Sequence, residues 1–166
     1  DYEKQLRETC RLVADSCGVS QWNLVYQSRS GPPQQPWLEP DICEAIQARD
    51  DEQKLDSIIV VPIGFISDHM EVMFDLDEEA AQVCEERGIR MHRTRTAGIE
   101  TGFVEMISDL VQERVEGKAV RAAVGELGAW HDVCPEDCCL YTPQRPPAAG
   151  GRPPSDRPPS GRPANV

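Results

Sequence analysis

Apolar positions at Leu6, Cys10, Val13 and Cys17 recur at spacings of three and four, which predicts a helix over residues 3–17 stopped by Gly18. The stretch "WNLVYQS" (22–28) is rich in aromatic and branched residues and reads as a strand. "RSGPPQQPWLEP" (29–40) holds four Pro and one Gly, so it is a long, stiff loop, and its aromatic Trp37 marks it as a functional lip. "DICEAIQARDD" starts a short helix with Asp41 as its cap. "SIIVVPIGFI" (57–66) is an unbroken apolar run whose length and β-branching fit a strand buried on both faces. A helix over 69–87 follows, ending at Gly88, then a third strand over 89–96 and an amphipathic helix over 101–115. Residues 116–133 read as a weaker helix broken at Gly125 and Gly128. The order α-β-α-β-α-β-α predicts an α/β fold, a three-layer arrangement with a parallel sheet between flanking helices. This domain is expected to span residues 1–133, followed by a Cys-rich segment, 134–142. Residues 143–166 are Pro/Arg/Gly/Ser repetition with almost nothing to bury, and are expected to be disordered.

Composition narrows the partners. The 166 residues suffice for one domain with a core. Net charge is −12, and the tail from Pro143 carries four Arg and one Asp, which puts the remainder near −15. Such a body disfavours nucleic acid and anionic membrane as partners and is compatible with cationic ligands, metal ions included; plain solubility accounts for most of the charge. No apolar run approaches the length of a membrane span, so no integral membrane segment is expected. No charged-then-apolar leader opens the chain, and a cytoplasmic location is expected. The chain starts at Asp1 with a helical pattern already under way, which leads to the expectation that it is a piece of a longer protein or of an incomplete gene.

The candidate chemistry lies where the 57–66 strand gives way to the next helix. Ligands of a parallel α/β sheet bind beyond the carboxyl ends of the strands. "GFISDHME" and "YQSRSGPP" both lie at such ends and are expected to face one crevice. Asp68 with Glu71 three residues later makes a capping-box pattern. Yet Glu71, Asp75 and Glu79 also fall at i, i+4 and i+8, a stripe of like charges beside the buried face expected from Val72, Leu76 and Val83. Each such pair costs about 0.2–0.5 kcal/mol. A solvated face tolerates that cost; a divalent cation among the oxygens removes it. His69, two residues before Glu71, points elsewhere on a helix and braces the turn or a neighbouring group. His92 and His131 read as surface or packing residues.

"PIGFISDHMEVMFDLDEEA" and "LVYQSRSGPPQQPWLEPDI" resemble the ferrochelatases, in particular the actinobacterial coproporphyrin III ferrochelatases, over residues 2–139. The resemblance implies one of two similar Rossmann-like lobes that enclose a porphyrin cleft, here the C-terminal one. The N-terminal lobe, with the family's metal-site His, would then be a partner outside this sequence. Matched residue by residue, the active-site Glu falls on Glu71 and the His of the same motif on His69. Asp75 and Glu79 fall on an acidic path for metal or protons, Trp37 on an aromatic at the porphyrin cleft, and Arg29 on a propionate contact. Ferrous iron is implied as substrate. The chemistry suits these groups: the ion must lose water and the ring two pyrrole protons, which oxygen and imidazole groups can mediate without trapping the metal.

Seven cysteines stand at positions 10, 17, 43, 84, 134, 138 and 139. The first four sit in helical patterns as small apolar residues. "CPEDCC" is a C-x3-C-C cluster, for which a thiolate-bound metal or Fe–S group and a coincidence near a chain end both stand. The resemblance implies a [2Fe–2S] cluster on Cys134, Cys138 and Cys139, completed by a Cys outside this chain. Two functions follow from the sequence: the C-terminal lobe of a ferrochelatase, inactive by itself, or a non-catalytic metal- or Fe–S-binding fragment.

Overall fold

A computed structural model describes residues 2–28 and 36–136. The chain divides into two units, Asp1–Trp130 and His131–Val166; the second is described only through residue 136, and the tail expectation for 143–166 lies outside the described residues. The first unit is α/β with a small parallel sheet: α1 Tyr2–Ser16, α2 Ile42–Glu52, β1 Ser57–Val60, a long helix made of α3 Met70–Val72, a π segment Met73–Ala80 and α4 Ala81–Arg87, then β2 Arg90–Arg93 and α5 Thr101–Val115.

The sheet is smaller than the sequence predicts. β1 and β2 pair in parallel with Ser57 opposite Arg90 and Val60 opposite Arg93. Residues 22–28 form no strand; Tyr26 alone makes a parallel bridge to Asp41, through Tyr26 N–H to the Pro40 carbonyl and Ile42 N–H to the Tyr26 carbonyl. Its partner is therefore the lead-in to α2 and not β1. β1 stops at Val60, short of the 57–66 run, because Pro62 has no N–H to continue a ladder. Its burial alternates: Ile58 and Val60 pack inward while Ile59 is 71% exposed. With two strands, helices cover one face, and the expectation of burial on both faces fails.

The core lies between α2, the long helix and the inner face of the sheet. Ile42, Ile46, Val72, Leu76, Ala80, Cys84 and Ile89 are buried together, with Ile58, Val60 and Met91 against them. Asp41 caps α2 as expected, accepting from the Cys43 and Glu44 amides. Its replacement by Ala is expected to cost about 1 kcal/mol in urea denaturation. Gly88 ends the long helix at φ 72, in the left-handed region where glycine meets no Cβ penalty. Residues 116–133 are not helical: Gly117, Gly125 and Gly128 all take positive φ, and the chain turns at each.

A second tie joins α2 to the end of α4. Asp50, 5% exposed, accepts from the Leu55 amide, Lys54 and Arg87. The Leu55 amide, then Lys54 and Arg87, hold its carboxyl at about 2, below its ordinary 3.8. A depressed folded-state value stabilises the fold above the ordinary range and ceases to do so as pH falls through it. Glu8, held at about 2 chiefly by Arg11 and the Glu126 amide, acts in the same direction. Melting temperature is expected to fall between about pH 4 and pH 2, and Asp50→Asn is expected to flatten part of that slope. An unchanged slope would remove Asp50 from the account.

Candidate functional site

The long helix starts without the cap that the sequence offers. His69 occupies the cap position and makes no side-chain capping bond. Asp68, the expected cap, instead accepts from Arg93 at 2.7 Å. The capping box therefore does not form, and Glu71 makes no hydrogen bond or ion pair among the described residues. His69 is half-buried, its ring edge-on to Phe65 with centroids 4.9 Å apart.

From Met73 to Ala80 the helix widens to π geometry. At the exit, the Ala81 N–H reaches back to the Leu76 carbonyl, five residues away. In an α-helix, positions four apart advance by about 40° around the axis, so a run of fours spirals. A wider turn takes that advance back. Val72, Leu76, Ala80 and Cys84 consequently share one buried line, while Val83, expected in the core, is only half-buried. The same widening keeps Glu71, Asp75 and Glu79, each one residue before a member of that line, in register beside it. They form a ladder and not a cage: among the described residues, no three His, Cys, Asp or Glu side chains gather closely enough to hold a metal ion.

Asp75 and Glu79 open onto a cleft of about 420 Å³, also lined by Gln27, Ser28, Asp41 and Cys43. Ser28 Oγ donates to Asp75 through a short contact, and Gln27 Nε2 lies 3.4 Å from the same oxygen. The segment after residue 22 thus meets the acidic helix at Asp75, one turn beyond "GFISDHME", so the cleft is not the one expected between those two stretches. Ser28 adopts φ 58, which few non-glycine residues do. Burial, with the nearby charges of Asp41 and Glu79, pushes the Cys43 thiol up to about 11, so the cleft presents it protonated.

Other expected site residues stand apart from this cleft. Glu71 and His69 do not line it; nor does Trp37, which is 38% exposed in the segment leading to Asp41. Arg29, Cys138 and Cys139 lie outside the described residues. Cys134 is exposed and free. Of the three cysteines expected to hold a cluster, Cys134 alone lies among the described residues. Sequence reasoning missed Cys43, read as helix packing, and Asp41, read only as a cap; both reach the cleft through tertiary packing that no local pattern carries. No described helix is long and apolar enough to cross a membrane.

Comparison with known proteins points in one direction. The sequence model of the family described as Ferrochelatase matches residues 1–115. The chain is 69% identical over 153 residues to a ferrochelatase of Rhodopirellula baltica, covering 92% of this chain and 44% of that protein. It is 45% identical to a coproporphyrin III ferrochelatase of Streptomyces coelicolor, covering 90% of this chain and 42% of that protein. A third, the coproporphyrin III ferrochelatase of Leifsonia xyli, is 50% identical over 74% of this chain and 32% of its own length. The chain spans less than half the length of these curated relatives.

Proposed function

Since the chain belongs to the ferrochelatase family, we propose that it is one lobe of an enzyme that inserts ferrous iron into a porphyrin for heme synthesis. The observation that carries the reading, beyond family membership, is the carboxylate ladder: three acids spaced by fours, Asp75 held by Ser28 and Gln27, and Glu71 at the helix start with no hydrogen-bond or ion-pair partner among the described residues. A structural row of like charges would be expected to find cations. This one faces a cleft and solvent.

In this reading Glu79 and Asp75 exchange for the ion's water ligands one at a time. Oxygen donors on successive turns, too far apart to close on one ion together, bind a divalent ion loosely enough to pass it on. Glu71, with His69 beside it, takes up protons as the ring loses its two N–H hydrogens and gains four metal–nitrogen bonds. Trp37 offers an apolar surface to the ring, and Arg29 a cation for a propionate. Coproporphyrin III as the ring is supported by the similarity to the coproporphyrin III ferrochelatases of Streptomyces coelicolor and Leifsonia xyli. The N-terminal lobe of the same protein would complete the cleft. A cytoplasmic location agrees with the absence of a membrane-length helix among the described residues. The C-x3-C-C spacing of Cys134, Cys138 and Cys139, with a further Cys from outside the chain, supports a [2Fe–2S] group; replacing Cys134 by Ser in the full-length protein should remove its visible absorption.

The test is iron insertion followed by the change in porphyrin absorption, with coproporphyrin III and protoporphyrin IX compared. The full-length protein carrying this chain is expected to turn over the first, and the 166-residue chain alone to turn over neither. Iron bound by the full-length protein with no turnover of either ring would favour a non-catalytic metal-binding role.

A further inference from the structure

The π segment is longer than its own sequence explains. Pairing five residues apart is rare and mostly confined to single turns, yet here it runs over Met73–Ala80. No Pro or Gly between residues 70 and 87 forces it. The segment is gripped from two sides. On one, Ser28 and Gln27 hold Asp75. Asp77, two residues on, lies about 200° around an ordinary helix, on the far side. There it receives two arms of Arg93: Nε to Oδ1 at 2.5 Å and Nη2 to Oδ2 at 2.8 Å.

The third arm reaches elsewhere. Arg93 Nη1 donates to Asp68 at 2.7 Å and to the Thr94 carbonyl at 3.0 Å. Asp68 lies in the turn before Met70, Asp77 within the π segment, and Arg93 at the end of β2. One guanidinium therefore fixes the distance between the helix entry and a point seven residues inside it, measured from Met70. Arg93 is only 16% exposed, so water and salt screen these pairs less than surface pairs. A planar fork with separate donors can serve two carboxylates at once, which a lysine ammonium cannot do with the same geometry.

We propose that Arg93 is the positioning residue that holds the wide turn open, and with it the register of Glu71, Asp75 and Glu79. The inference rests on reading that ladder as the iron's route. Return to α geometry would rotate each acid by about 40° relative to the one before. Asp75 would move off Ser28, and the ladder would become a spiral. Arg93 acts through Asp77 and Asp68 and lies outside the cleft lining.

The test uses the full-length protein with Arg93→Ala, Arg93→Lys and Asp77→Asn, read by crystallography of residues 70–87 and by separate KM values for ferrous ion and porphyrin. Arg93→Ala and Asp77→Asn are expected to restore pairing four residues apart over 73–80. They are expected to raise KM for ferrous ion on the order of tenfold and to leave KM for porphyrin unchanged. Arg93→Lys keeps the charge without the fork and should fall between wild type and Arg93→Ala. Retention of the π turn in Arg93→Ala, or in Asp77→Asn if the former does not fold, overturns the proposal whatever the kinetics. A parallel rise in both KM values, or loss of folded protein in all three variants, also overturns it by reducing Arg93 to general support of the fold. A turn that reverts while iron KM stays constant, together with a silent Glu71→Gln, supports Arg93's hold on the turn and removes the ladder as the iron's route.

Discussion

Glu71→Gln in the full-length protein is expected to fold normally and to lose a factor of about one hundred or more in kcat, roughly 2.7 kcal/mol of transition-state stabilisation. The substitution keeps shape and removes only charge and basicity. Its structural consequence should be small: Glu71 is exposed, caps nothing, and makes no hydrogen bond or ion pair among the described residues. What it forfeits is the interaction of a carboxylate with a helix start, typically about 0.3–1 kcal/mol. A large kinetic loss with a small change in melting temperature would therefore isolate chemistry from folding. Asp75→Asn and Glu79→Gln should be milder and appear in KM for ferrous ion, because both acids stand farther along the helix than Glu71, on the ion's route and not at the site of proton uptake. Full activity in Glu71→Gln would return Glu71 to the ordinary role of an acid at a solvated helix start.

Why the helices were legible and the sheet was not has a physical basis. α1, α2 and the long helix end where local chemistry ends them: Gly18 at φ 67, the Asp41 cap, Gly88 at φ 72. Such signals act within one turn and can be read one residue at a time. A strand exists only by pairing, and the partner of Tyr26 is set by how the chain folds back at Pro40 and not by "WNLVYQS" itself. Burial fails as a guide for the same reason, since Ile59 is β-branched and apolar yet lies on a face the described residues leave uncovered. The π segment was not expected: an ordinary helix with Val83 on its buried face was, although the spacing carried a signal against it. An α-helical stripe mixes spacings of three and four, whereas Val72, Leu76, Ala80 and Cys84, like Glu71, Asp75 and Glu79, are spaced by fours alone. What holds the turn open, Arg93 from β2 and Ser28 from the chain before α2, comes from far along the sequence and left no local trace.

Leu76→Ala is expected to destabilise the fold by about 3 kcal/mol, within the range of roughly 2–5 for such truncations at packed sites. Leu76 is 1% exposed and lies in the buried cluster with Val72, Ala80, Ile42 and Ile46. Close packing there leaves little room to collapse around the missing atoms, so lost transfer energy and a residual cavity both count. Against a typical total of about 5–15 kcal/mol, the loss is a large fraction of stability. Urea denaturation should show a lower midpoint with an unchanged slope. Val83→Ala gives the comparison that makes the measurement specific. Ordinary helical spacing would put Val83 in the core, whereas the π segment leaves it half-buried and gives the buried line to Ala80 and Cys84. Its truncation should cost about 1 kcal/mol, since only part of the side chain leaves water on folding. Equal losses for Val83→Ala and Leu76→Ala would mean that the buried face follows α spacing in solution, and the acidic ladder beside it would then spiral and not run straight.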